Sequence, residues 1–189
     1  TLLVLLALVG ALASAGAQGA KGASAGDKLV FIVRHAEKAS ATDQDPSLSE
    51  AGKERAVALA AALRDARVSA ILVTARKRTA ETAAPLASAL ELTMHVVPFG
   101  ASTPEHVAGV AAAVRAAKGA AVLVVGHSNT VTAIIAALGG PTMPDLCDAA
   151  YANLFIVRLP TSGAPSLVRA QFGAADHAEA ASCPGMTVR

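Results

Sequence analysis

Three segments of the chain end an apolar run in side chains that can handle an anion. Val33-Arg34-His35-Ala36-Glu37 closes the run Leu29–Val33, Thr74-Ala75-Arg76-Lys77-Arg78 follows Ile71–Val73, and Gly126-His127-Ser128 follows Ala120–Val125. A neutral imidazole keeps one unprotonated ring nitrogen and is an accepted covalent nucleophile. Arginine forks match phosphate oxygens two at a time. Helix N-termini already attract anions, so cations placed at such a start repel the helix dipole unless an anion compensates. His35 or His127 taken singly is better explained as a structural or surface histidine, one of five in the chain. Taken together at matching strand ends, with Arg34 and Arg78 beside them, they describe a pocket for a dianion such as a phosphate monoester.

Such a pocket needs strands that end at one place. Leu29–Val33 is a continuous β-branched and apolar run, the pattern of a strand buried on both faces. Further strands are expected at 71–73, 94–97, 120–125, 151–159 and 167–172. Between them, helical patterns run over 49–67, 76–90, 104–118 and 130–138. Ser47-Leu48-Ser49-Glu50 carries a capping signal for the first helix, and Pro85 is expected to kink or break the second. Alternation of this kind predicts an α/β fold, a three-layer sandwich with a mostly parallel central sheet and helices on both faces. In open α/β sheets ligands bind beyond the carboxyl ends of the strands. His35 and His127 share one crevice if their strands are parallel neighbours.

The rest of the 189 residues bounds the problem. Residues 2–13 are apolar and are followed by Ala13-Ser14-Ala15 and Ala15-Gly16-Ala17, which reads as a secretory signal peptide ending near residue 17. The run is shorter than the roughly 20 residues of a spanning helix. Residues 18–27 read as a small-residue linker, 28–173 as the folded domain and 174–189 as a polar tail. The expected location is periplasmic or secreted, with no stable membrane anchor after cleavage. Net charge is +2, aromatics are 3%, and there is no basic run, which argues against a nucleic-acid partner. Cys147 and Cys183, the two cysteines, are expected to pair in an oxidising compartment. Neither has metal-ligand spacing, and no cofactor is implied.

The ordered set of three motifs resembles the histidine phosphatase superfamily, of phosphoglycerate mutase-like fold. Arg34-His35-Ala36-Glu37 is similar to its Arg-His-Gly-Glu motif, with Ala36 in the place of the more frequent Gly. Thr74–Ala83 is similar to its second motif, which ends in Glu/Gln-Thr-Ala, and Gly126-His127-Ser128 to its late Gly-His motif. The resemblance runs from about Lys28 to Gly139. It implies a phosphomonoester hydrolase in which His35 becomes phosphorylated and Arg34, Arg78 and His127 hold the phosphoryl oxygens. The substrate implied is a small phosphomonoester or a phosphoprotein. His127 is expected to act as a hydrogen-bond donor or imidazolium. Glu105 is the expected proton donor to the leaving group, with Glu37 as fallback. Lys38, Arg76 and Lys77 read as solvated surface charge, and Ser128 and Thr130 as helix-capping residues.

Three rival readings stand beside this one. Gly126-His127-Ser128-Asn129-Thr130 is one residue short of a G-x-S-x-G elbow, which makes Ser128 a serine nucleophile served by Asp145, Asp148 or Asp176 and then His177. His35, Glu37 and His127 form a possible metal set. A phospho-ligand binding domain without turnover is the non-enzymatic option.

Overall fold

The computed structural model describes residues 26–176. The expected signal segment and Cys183 therefore lie outside the described residues, and among those described no helix is long and apolar enough to cross a membrane. Ten elements alternate as expected. They are β1 (Lys28–Arg34), α1 (Glu50–Leu63), β2 (Ala70–Val73), α2 (Lys77–Ala89), β3 (Met94–Val96), α3 (Thr103–Ala116), β4 (Ala121–Gly126), α4 (Val131–Ala137), β5 (Asn153–Leu159) and β6 (Ser166–Gln171).

The six strands form one sheet in the order β3-β2-β4-β1-β5-β6. β1, β2, β3 and β4 pair in parallel, while β5 runs antiparallel to β1 and β6 antiparallel to β5. The sheet is therefore mixed, with a parallel majority. Side chains of a strand alternate between faces, and β1 shows what its unbroken apolar run is for. Val30 and Ile32 join the core under α3 and α4. Phe31 and Val33 join the core under α1 and α2. Helices thus cover both faces, as the three-layer expectation required.

Local departures have physical causes. α1 stops at Leu63, and Arg67 adopts a positive φ of 54° in the turn that follows. α2 runs through Pro85 without a break. A helix-interior proline loses one backbone donor, and packing of Ala83, Leu86 and Ala87 into the core holds the helix across that loss. The folded body also extends past the expected limits. Asp27 pairs with Arg158, and Ala174 and Asp176 are tied into the body by the contacts described below.

Strand order places the three motifs side by side. β4 lies between β1 and β2, and Arg34 pairs in register with Gly126. The His35 N–H donates to the Gly126 carbonyl at 2.9 Å, so the two histidine-bearing strand ends are hydrogen-bonded neighbours. Because β5 is antiparallel, it starts where β1 ends, with Leu154 opposite Val33. Residues just before β5 are delivered to the same crevice, a consequence that local sequence patterns do not carry.

Candidate active site

The turn after β1 is held from two sides. The Ala36 N–H donates to Thr82 Oγ1 of α2 at 2.9 Å, and Thr82 in turn donates to the Arg78 carbonyl at 2.6 Å. On the other side α1 approaches so closely that a Cβ at Gly52 would stand 2.3 Å from the Glu37 carbonyl oxygen. Glu81 accepts the Leu48 N–H at 2.7 Å and pins the loop between β1 and α1. The Glu81-Thr82-Ala83 run is therefore scaffold: it fixes the backbone that carries His35.

Arg34, His35 and His127 are buried, at 2%, 3% and 8% exposure. Together with Arg78 they line one cavity of about 500 Å³. The rings of His35 and His127 lie 5.4 Å apart, edge to face. His35 Nδ1 stands 2.8 Å from the Ala36 carbonyl. A carbonyl only accepts, so Nδ1 carries the proton and Nε2 keeps its lone pair. Burial pushes the His35 pKa down to about 3, against the opposing effect of the Ala36 hydrogen bond and with lesser help from Arg34, His127 and Arg78. The ring is neutral at pH 7, the state a nucleophile needs.

His127 is neutral there as well. Burial, then the Arg78 charge, pushes its pKa to about 3. Its Nδ1 faces Arg78 Nη2 at 3.5 Å, and its Nε2 lies 3.0 Å from Thr74 Oγ1. Since arginine only donates, Nδ1 is the acceptor and Nε2–H donates to Thr74. The imidazolium form expected from sequence thus requires an anion in the cavity. Gly126 admits the tight turn behind this ring: a Cβ there would meet Thr130 Oγ1 at 3.1 Å, and that hydroxyl accepts the His127 N–H at 3.0 Å.

Arg34 is gripped by a segment the motifs do not include. Its Nη1 donates to the Cys147 carbonyl at 2.7 Å, its Nη2 to Asp148 at 3.2 Å, and its Cζ lies 4.2 Å from the centre of the Tyr151 ring. Arg34 Nε and Arg78 Nε and Nη1 are buried with no hydrogen-bond partner. Buried charged donors left unpaired are costly. Arg78 Nη1 lies 3.6 Å from Asp45 Oδ1, so the donors left over are Arg34 Nε and Arg78 Nε, on two guanidinium groups that border one cavity.

The carboxylates fall differently from expectation. Glu105 does not face this cavity. Its Oε2 accepts the Ala101 N–H at 2.7 Å, and it borders a separate apolar cleft between β3 and α3, so its carboxylate closes the loop before α3. Glu37 is also committed elsewhere: it accepts from Arg55 Nε at 2.9 and 3.0 Å and lies 2.7 Å from Arg55 Nη2. Arg55 further donates to the Phe172 and Ala174 carbonyls. Asp176 completes the chain of contacts by accepting the N–H groups of Tyr151 and Ala152, each at 2.8 Å. The carboxylate that does line the cavity among the described residues is Asp148, whose side chain is 92% exposed. Arg55 and Tyr151 were missed in the sequence, and Asp148 was read there only as a partner of Ser128. Tyr151 is the chain's single tyrosine, and Arg55 sits on the core-facing stripe of α1 beside Ala56 and Leu59, which were the available signals.

Rival constellations lack their geometry. No histidine or carboxylate among the described residues hydrogen-bonds the Ser128 hydroxyl; Asp176 is occupied by the Tyr151 backbone, and His177 lies outside the described residues. Glu37, turned to Arg55, leaves the set with His35 and His127 incomplete, and no metal-ligating cluster occurs among the described residues. Cys147 is disulfide-bonded. Arg76 and Lys38, read from sequence as solvated charge, line the anion cavity, while Lys77 is exposed and does not.

The architecture defines an α/β protein of phosphoglycerate mutase-like fold, with arginines and imidazoles converging on a cavity at its strand ends. Residues 30–99 match the family model described as histidine phosphatase superfamily (branch 1). No curated protein matches significantly. Among solved structures, the protein histidine phosphatase SixA complexed with tungstate is similar at 21% identity and TM-score 0.59, over 76% of this chain and 96% of that one. The mycobacterial glucosyl-3-phosphoglycerate phosphatase aligns at 18% identity and TM-score 0.57, over 70% and 90%. A structure described as mycobacterial hydrolase 1 aligns at 18% identity and TM-score 0.61, over 79% and 100%. At these identities the likeness is one of fold.

Proposed function

We propose that the protein is a phosphomonoester hydrolase that works through a covalent phosphohistidine on His35. The observation that carries this reading is the His35 ring itself. It is neutral, its Nδ1–H is spent on the Ala36 carbonyl, and it lines a cavity shared with Arg34, Arg78 and His127. Nε2 attacks phosphorus and a P–N bond forms as the ester P–O bond breaks. The two arginines hold the equatorial oxygens, where charge spreads in the transition state. A bound dianion raises the His127 pKa, so that this ring gains a proton on Nδ1 and becomes a second donor. Phosphate replaces Asp148 at Arg34; the freed carboxylate accepts a proton delivered by solvent as the ester binds and passes it to the leaving alkoxide. Water then attacks phosphorus, the P–N bond breaks, the water proton returns to Asp148, and inorganic phosphate leaves.

The substrate class is a small phosphomonoester or a phosphoprotein, in keeping with the similarity to a glucosyl-3-phosphoglycerate phosphatase and a protein histidine phosphatase. Export of the protein, argued from residues 2–17 alone, belongs to the same proposal and is checked by fractionation of cells making the full chain.

The chemical test is trapping with a radiolabelled phosphomonoester followed by denaturation. An adduct that is labile in acid, stable in base and missing from His35→Ala supports the reading. An acid-stable adduct that persists in His35→Ala and is lost in Ser128→Ala transfers the nucleophile to serine. Binding of monoesters with no release of phosphate from any of a panel makes the domain a receptor.

A further inference from the structure

Arg34 ends β1 at the cavity, yet the groups that hold its guanidinium come from a stretch without regular structure. No helix or strand covers residues 138–152, between α4 and β5. In that stretch the Cys147 carbonyl accepts Arg34 Nη1 at 2.7 Å and also the Ala150 N–H at 3.0 Å. Asp148 Oδ1 accepts Arg34 Nη2 at 3.2 Å, and the Tyr151 ring lies 4.2 Å from the guanidinium carbon. The orientation of a buried arginine therefore depends on the shape of a loop.

That loop is tied at several points. Leu146 is buried, and its N–H donates to the Ser128 carbonyl at 2.9 Å. Nearer β5, Asp176 accepts the N–H groups of Tyr151 and Ala152, each at 2.8 Å. Between these ties stands Cys147, which is disulfide-bonded, and the chain's one other cysteine is Cys183. A disulfide removes conformations that the reduced chain would sample. The residue it restrains is the one whose carbonyl Arg34 leans on, while Arg34 Nε is left without a partner at the cavity.

We propose that the disulfide at Cys147 is a positioning element of the anion site: it fixes the Cys147 carbonyl and the Tyr151 ring on Arg34, so that affinity for a phosphoryl dianion depends on the oxidation state of the protein. The proposal rests on the phosphatase reading in taking phosphate as the anion. A guanidinium that is already oriented loses less freedom when the anion arrives. With the S–S bond broken, the carbonyl drifts, Arg34 gains rotamers and water, and its spare donor meets phosphate less well. Asp148, whose side chain is 92% exposed, competes with phosphate for Arg34 in either state and does not set the sign of the effect. Reduction by a dithiol transfers two electrons and two protons: the S–S bond becomes two thiols and the dithiol leaves as its own cyclic disulfide.

The test measures the affinity for inorganic phosphate by calorimetry on the oxidised protein, on the protein reduced with dithiothreitol, and on Cys183→Ser. Reduction weakens binding by about fivefold or more, reoxidation restores it, and Cys183→Ser shows the reduced affinity with no response to dithiothreitol. In Arg34→Ala the ratio between oxidised and reduced protein falls to within about twofold, whereas in Arg78→Ala it persists. A second readout needs no ligand. The Arg34 Nε–H signal in heteronuclear NMR spectra, assigned by its loss in Arg34→Ala, exchanges with water about tenfold faster after reduction, while that of Arg55, held by Glu37, is unchanged. Affinity unchanged or raised by reduction overturns the proposal, as does an Arg34 signal that exchanges equally fast in both states. So does a ratio that survives in Arg34→Ala, full affinity in Cys183→Ser, or unfolding of the reduced protein, which makes the bond a stability element alone. An oxidised parent that binds phosphate but releases none from esters ends the phosphatase reading and leaves the redox ratio to be read.

Discussion

The guanidinium carbon of Arg34 lies 4.2 Å from the centre of the Tyr151 ring, so a residue two positions before β5 lies over the arginine that ends β1. A partly desolvated contact of this kind is worth about 1 kcal/mol. Tyr151→Ala is therefore expected to weaken binding of inorganic phosphate by roughly fivefold, while Tyr151→Phe keeps the ring face and most of the affinity. Phosphate titration of both variants checks this. Equal losses in the two would assign the effect to the hydroxyl.

Glu37 is expected to matter for stability before chemistry. Removing its charge leaves Arg55 buried without its principal partner, and breaking a buried pair costs about 3 kcal/mol or more. Glu37 is partly exposed, so Glu37→Gln is expected to lower unfolding stability by about 2 kcal/mol, read from the urea midpoint at constant slope. A midpoint equal to that of the parent would mean that the carbonyls of Phe172 and Ala174 suffice for Arg55.

Acid should destabilise the fold through its two site histidines. Both have folded-state pKa values pushed down to about 3 by burial, below the ordinary value of 6.5. Between those values the unfolded chain binds more protons than the folded one, so stability rises with pH. Their contribution is complete above pH 6.5 and is lost progressively as pH falls toward 3. Urea unfolding at pH 7 and pH 5 should show this slope, and a His35→Gln/His127→Gln protein should show a shallower one. Identical slopes in the two proteins would place the acid sensitivity elsewhere.

Binding of a dianion should carry a proton with it. His127 is neutral in the free cavity and gains a charge beside bound phosphate, so orthovanadate binding at pH 7 is expected to take up protons. Calorimetry in buffers of different ionisation enthalpy measures the number directly, and His127→Asn should reduce it. Uptake that is unchanged in His127→Asn would assign the proton to another group or to the ligand.

The leaving-group proton separates the two carboxylates. Asp148→Asn is expected to slow alkyl phosphates by about tenfold or more while sparing aryl phosphates, whose leaving groups need no acid. Glu105→Gln, which touches the Ala101 amide and not the cavity, should show no such split. Reversal of the two patterns would return Glu105 to the donor role.

Much of the molecule was legible in one dimension because its signals are local. The run Leu29–Val33 and the run Ala120–Val125 announced buried strands, and both stop at residues that an apolar core cannot hold unpaired. Once the two strands lie side by side, Arg34, His35 and His127 have to meet. Helix limits were less readable, since Leu63 and Arg67 differ in backbone turn and not in apolar pattern, and core packing carries α2 across Pro85.

The carboxylates were not legible, because a carboxylate has no periodicity and its role is set by what folding brings beside it. Glu37 sits inside the first motif yet serves Arg55 on α1, and Glu105 begins a helix as its type suggests while its side chain closes the preceding loop. Asp148 and Tyr151 reach the site because β5 returns antiparallel to β1, a pairing made across more than a hundred residues. Residue types and spacing by themselves determined the chemistry on offer, imidazoles and arginines at strand ends. Strand order and long-range pairing alone decided which charges face the cavity, since ion pairs and hydrogen bonds act through distance in space and are blind to distance along the chain.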